Sequence, residues 1–239
     1  MKKGIIKLND GTDIFYKELG SGKNLFLLHG NGGDSTYFEY NIGTLSRKFH
    51  LYMIDFRDHG RSDNARDKLT FELMASDLRE IFEKLAIKSA NILGFSDGAN
   101  LALLFTIRYP DLVDKLILNA PNIRFSGTRL ISKIISIGEN IFWNILPFFK
   151  RNKRVAALLL KDLKLSKTDM AGINKLVLIM VGSYDLIRLD HVKNISESID
   201  RSKLVIVKKA GHKLARSHPY LFNKLVMEFM EGNNEQISK

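Results

Sequence analysis

No cysteine occurs among the 239 residues, which excludes a disulfide framework and any thiolate metal site. No stretch of about 20 residues is free of charge, so the sequence offers no membrane span. The amino end lacks the apolar core of a signal peptide. Met1-Lys2-Lys3-Gly4-Ile5 soon reaches the polar Asn9-Asp10-Gly11, so a cytoplasmic protein is the expectation. There is no internal repeat, and low complexity is confined to the polar tail from Gly232 to Lys239.

Acidic residues are in short supply. Asp and Glu number 26 against 37 Lys and Arg, a net charge of +11. The excess is local: between Arg124 and Lys167 ten Lys/Arg face only Glu139 and Asp162, a net of +8. A nucleic-acid groove would interleave aromatic residues with such cations for base stacking. Here Phe142, Trp143, Phe148 and Phe149 precede the cluster Lys150-Arg151-Asn152-Lys153-Arg154 instead. No nucleic-acid partner is expected, and the cluster reads as a solvated surface on an insertion.

What is present is an α/β alternation. Ile5–Leu8 and Asp13–Leu19 flank a hairpin turn. Apolar runs at 24–28, 50–54, 90–95, 113–119, 175–181 and 204–207 read as strands, with helical spacing at 70–85, 99–109, 189–199 and 220–230. Uninterrupted apolar strands between helices predict a mostly parallel sheet covered on both faces. The opening hairpin forms its antiparallel edge. Residues 123–173 break the alternation, so a helical cap insertion is expected there, with a core of residues 1–122 and 174–239. In the insertion, 130–149 and 155–165 have amphipathic spacing. The apolar face could wall an active site, with Trp143 as a substrate contact, or pack on the core. A basic amphipathic segment also allows weak contact with an anionic membrane surface.

The chemistry centres on Gly94-Phe95-Ser96-Asp97-Gly98, a G-x-S-x-G between an apolar run and a helix-like stretch. That is the context of a nucleophile elbow, in which a strained turn lifts the serine clear of the sheet. A serine hydroxyl needs an adjacent base. Of six histidines, His212 follows the last strand directly behind a glycine. A carboxylate must orient that histidine. Asp185, just past the strand ending at Val181, fits the sheet edge better than Asp190. The N–H groups of Asp97 and Asn31 are the candidate oxyanion donors. Gly30, Gly32 and Gly33 let backbone approach a substrate.

Five separated motifs resemble those of the α/β-hydrolase fold family, in the family's order, over nearly the whole chain. They are Leu28-His29-Gly30-Asn31-Gly32-Gly33, Asp55-Phe56-Arg57-Asp58-His59-Gly60-Arg61-Ser62, the elbow, Val181-Gly182-Ser183-Tyr184-Asp185 and Ala210-Gly211-His212. The resemblance implies an eight-stranded α/β-hydrolase sheet and a catalytic order Ser96, Asp185, His212. The implied activity is cleavage of a small-molecule carboxylic ester without cofactor or metal. Thioester, lactone, perhydrolase or carbon–carbon chemistry would use the same groups, and a slow-turnover sensor could keep them intact. His29 and Gly30 are placed at the substrate loop, where the His29 ring orders the turn. Asp97 is unusual beside an oxyanion hole. The expectation is pairing with a cation of the cap or of the Arg57/Arg61 loop, or binding of a substrate ammonium.

Overall fold

Each apolar run becomes a strand, and the strand order determines which loops can meet. A computed structural model describes residues 1–146 and 148–232. The polar tail beyond Gly232 lies outside the described residues. The strands are β1 (Lys2–Lys7), β2 (Asp13–Leu19), β3 (Lys23–Leu28), β4 (Phe49–Ile54), β5 (Ala90–Phe95), β6 (Val113–Asn119), β7 (Leu176–Gly182) and β8 (Ser202–Val207). They form one sheet in the order β1-β2-β4-β3-β5-β6-β7-β8. β2 pairs antiparallel with both β1 and β4, and every later pairing is parallel. Gly11, at φ 92°, turns the opening hairpin, a conformation glycine adopts without a Cβ penalty.

The helices are α1 (Glu39–Leu45), α2 (Phe71–Lys84), α3 (Asp97–Arg108), α4 (Leu130–Ile145), α5 (Lys150–Leu158), α6 (Lys167–Ala171), α7 (Leu189–Glu197), α8 (Leu214–Ser217) and α9 (Pro219–Glu231). They cover both faces of the sheet, as an α/β-hydrolase fold requires. All six residues of the central strand β5 are buried. Phe26 of β3 stacks on Phe82 of α2 with centroids 4.4 Å apart, and Phe82 meets Phe105 of α3. Aromatic contacts thus lock two helices onto the sheet. Thr70 caps α2 by accepting from the Leu73 N–H, and Pro219 starts α9 where no donor is needed. α1 is absent from the sequence expectations. Its Phe38, Ile42 and Leu45 follow helical spacing, but over barely two turns.

The insertion departs from expectation in two ways. Its second helix is not 155–165 but Lys150–Leu158. The basic run is helical because Arg151 and Arg154, three apart and so on one face, reach the core. Arg154 grips the Asp58 carboxylate in a bidentate pair at 2.6 and 2.7 Å, and Arg151 donates to the carbonyls of Asp58 and Gly60. Both cations are thus tied to the core, Arg154 half-buried and Arg151 still exposed. After α5 the chain returns beside 123–125, with the Leu163 N–H on the Ile123 carbonyl and the Phe125 N–H on Asp162.

The second departure is α4. Its apolar side neither packs on the core nor walls the site. No residue of α4 is buried. Its half-buried positions are Ser132, Lys133, Ser136, Asn140 and Trp143, almost all on the polar face. The isoleucines turn outward.

Candidate active site

Parallel pairing puts the carboxyl ends of β3, β5, β7 and β8 at one edge of the sheet, where open α/β folds build their sites. Leu28 registers with Gly94, and Gly182 with Val207. The four loops that follow carry Asn31, Ser96, Asp185 and His212.

Ser96 sits at φ 52° and ψ −120°, a strained conformation for a residue with a Cβ. Its N–H is held by the Asn119 carbonyl at 2.9 Å, and its carbonyl accepts from Ala99 and Asn100 as α3 begins. The turn closes because its glycines touch backbone. A Cβ on Gly94 would run into Gly98, and one on Gly98 would run into Leu28 and His29.

The structure brings Ser96, His212 and Asp185 together in one relay. His212 Nε2 lies 3.2 Å from Ser96 Oγ, and His212 Nδ1 lies 2.7 Å from Asp185 Oδ1. Asp185 is fully buried, and its Oδ1 also accepts the Ile187 N–H. Asp190 is exposed and paired with Arg188, outside this relay. The ring of Phe95 lies against His212 with centroids 4.8 Å apart and stacks on Tyr37 at 4.2 Å, so the imidazole rests on a wall of aromatic rings.

The first N–H of α3, that of Asp97, lacks an intrahelical acceptor. The Asn31 N–H donates to no other described residue. Gly30 is close enough that a Cβ would stand 3.1 Å from the Ser96 Cβ. A cavity of about 290 Å³ adjoins this loop, lined among others by Gly30, Asn31, Tyr37, Phe95 and Lys213.

Three sequence expectations need correction. His29 is 1% exposed and is not a substrate contact. Its Nδ1 bonds the Gly30 carbonyl at 2.7 Å, and its Nε2 accepts the Phe56 N–H at 3.2 Å. Burial, helped by nearby His59, pulls its pKa down to about 3, so the ring is neutral and acts as a strut between two loops. Trp143 packs with Phe142 and Phe149 inside the insertion rather than against the relay.

Among the described residues Asp97 forms no ion pair. Its Oδ2 accepts from Asn31 Nδ2 at 3.0 Å and its Oδ1 from Asn100 Nδ2 at 3.3 Å. The Arg57 guanidinium points elsewhere, into a buried bidentate pair with Asp77. With Asp97 8% exposed and both oxygens occupied by amides, a substrate ammonium has no place on it. Burial pushes its pKa up to about 6 against the pull of the two amides. Asn31 Nδ2 also donates to the Val155 carbonyl of α5 at 2.9 Å. One side chain therefore ties the glycine loop, the elbow and the insertion together.

Asn100 is the residue sequence reasoning missed. Besides its bond to Asp97, it accepts the Asn122 N–H at 2.7 Å, fixing the elbow to the chain after β6. Its place three residues past Asp97 on a helix was the available signal.

Comparison with known proteins agrees with the architecture. The profile of the family described as "alpha/beta hydrolase fold" matches residues 23–145. A Bacillus subtilis (strain 168) protein named "Putative 2-succinyl-6-hydroxy-2,4-cyclohexadiene-1-carboxylate synthase" is 24% identical, over 95% of this chain and 98% of its own length. The chain spans less than half the length of several other curated relatives it matches. Among solved structures, a meta-cleavage product hydrolase from Pseudomonas fluorescens IP01 superposes with a TM-score of 0.80 at 21% identity, over 96% of this chain and 98% of that one. A thermophilic esterase from Thermogutta terrifontis gives 0.80 at 20%, over 97% and 99%.

Proposed function

Because this chain belongs to the α/β-hydrolase fold family, we propose that it is a serine hydrolase that cleaves small carboxylic esters through an acyl-enzyme. The observation that carries this reading is the continuous relay from Ser96 Oγ through His212 to Asp185, at the tip of a strained elbow.

Ser96 Oγ attacks the ester carbonyl as His212 Nε2 takes its proton. The imidazolium keeps its Nδ1–H on Asp185, whose charge stabilises it and holds the tautomer. The carbonyl oxygen becomes an oxyanion between the N–H groups of Asn31 and Asp97. Collapse breaks the C–O bond, and the alkoxide leaves with the proton from His212. Water then repeats the cycle on the acyl-Ser96 ester, releasing acid and free enzyme.

A second reading is carbon–carbon bond hydrolysis on the same relay. It draws on the structural likeness to a meta-cleavage product hydrolase. A panel of p-nitrophenyl esters of rising acyl length, run beside a β-diketone, separates the two. Ester hydrolysis predicts turnover that depends on acyl length and no diketone cleavage. Diketone cleavage with negligible ester turnover would overturn the primary reading.

A further inference from the structure

The outward face of α4 has no part in the proposed ester cleavage, and it carries half of the exposed large apolar side chains among the described residues. At 100° per residue, Leu130, Ile134, Ile137, Ile141 and Ile145 share one side of the helix with Ile131, Ile135 and Phe142. The first five are 73%, 57%, 43%, 55% and 71% exposed, and Phe148 just beyond the helix is 92% exposed. The polar residues Ser132, Lys133, Ser136 and Asn140 are the half-buried ones. This is an amphipathic helix seated with its polar side toward the protein. A contiguous apolar patch of this kind marks a contact surface rather than scattered exposure.

The charge around the patch selects the occupant. The segment from Arg124 to Lys167 holds ten basic residues against two acidic ones. Arg151 and Arg154 are bonded to Asp58 and Gly60 of the core, whereas Lys150 and Lys153, close after the apolar Phe148-Phe149, are exposed. A second copy of this chain would bring another +11 and the same basic α5 to the contact. An anionic lipid surface offers the opposite sign together with an apolar interior. α4 is too short to cross a bilayer: 16 residues span roughly 24 Å. We propose that the α4 face docks the protein on anionic lipid bilayers, with the helix lying in the interface plane and the α5 lysines on the headgroups.

The test is flotation of the full-length protein with phosphatidylcholine vesicles, with and without phosphatidylglycerol. The expected result is binding to the anionic vesicles only, weakened by salt. Lys150→Gln/Lys153→Gln is expected to lower partitioning by roughly tenfold or more. Ile134→Gln/Ile141→Gln, at exposed positions, is expected to abolish flotation while leaving the thermal melt and hydrolysis of a water-soluble ester unchanged. Absence of flotation, equal binding to neutral vesicles, or unaltered binding of the isoleucine variant would each overturn the proposal. So would a dimer in sedimentation that the isoleucine variant dissolves while vesicles are ignored. Flotation reads binding without turnover, so its outcome is independent of the serine-hydrolase reading.

Discussion

Asp97 is a carboxyl group sealed between two asparagine amides, one residue after the proposed nucleophile. Its pKa of about 6 follows from burial, and the sign of its effect on stability can be worked out. In the unfolded chain the group ionises near its ordinary value of 3.8, so between there and about 6 the folded state holds more protons. Stability contributed by the protonated form is full below about pH 4 and lost as pH rises through 6. Ionisation at neutral pH therefore costs on the order of 2–3 kcal/mol. Asp97→Asn is expected to raise the melting temperature at pH 7.5 and leave it near the wild-type value at pH 4. A pair of thermal melts at those pH values checks this, and equal shifts at both would contradict the assignment. Asn31→Ala keeps the backbone N–H proposed as an oxyanion donor but removes the strut to Asp97 and Val155. Loss of positioning of this kind costs up to about a hundredfold. The expected signature in steady-state kinetics is a fall in kcat with KM little changed.

At the scale of elements, the elbow and the insertion depend on different kinds of contact. Gly98→Ala forces a Cβ onto the backbone at the end of β3. It is expected to destabilise by about 1–3 kcal/mol and to lower activity in parallel, read by urea unfolding and ester turnover. α5 is held by charge: Asp58, 3% exposed and at φ 63°, is clasped by Arg154. Asp58→Ala is expected to cost roughly 2–3 kcal/mol. It should also speed proteolytic cleavage in the insertion before global unfolding. The strands, the elbow and the order of Ser96, Asp185 and His212 were legible in the sequence because they rest on local signals: apolar runs, glycine pairs and residues directly behind strand ends. The facing of α4 was not. Periodicity defines a stripe but not the direction in which it points. Nor was the partner of Asp97 legible, since Asn31 lies 66 residues away and its other acceptor, Val155, lies 124 away. The second insertion helix was misplaced for the same reason. Apolar spacing favoured 155–165, while the helix that forms is anchored through Arg151 and Arg154 to a loop some 91–96 residues distant.

For the whole molecule, the parallel sheet converts chain order into a site by bringing the loops after β3, β5, β7 and β8 to one edge. The segment between β6 and β7 hangs its α5 on the loops after β3 and β4 and turns its α4 outward. The proposed chemistry and the proposed lipid contact thereby lie on separate faces, and variants of one leave the other readable. The nucleophile proposed for this assembly is Ser96. The most direct measurement of that role is intact-mass analysis after treatment with a fluorophosphonate, alongside p-nitrophenyl acetate turnover, for wild type and Ser96→Ala. A single adduct on the Ser96 peptide of the wild type is expected. None is expected on a folded Ser96→Ala protein, whose kcat falls by at least about 10⁴-fold. A folded Ser96→Ala protein that still turns over the ester, or a wild-type adduct on another residue, would contradict that role.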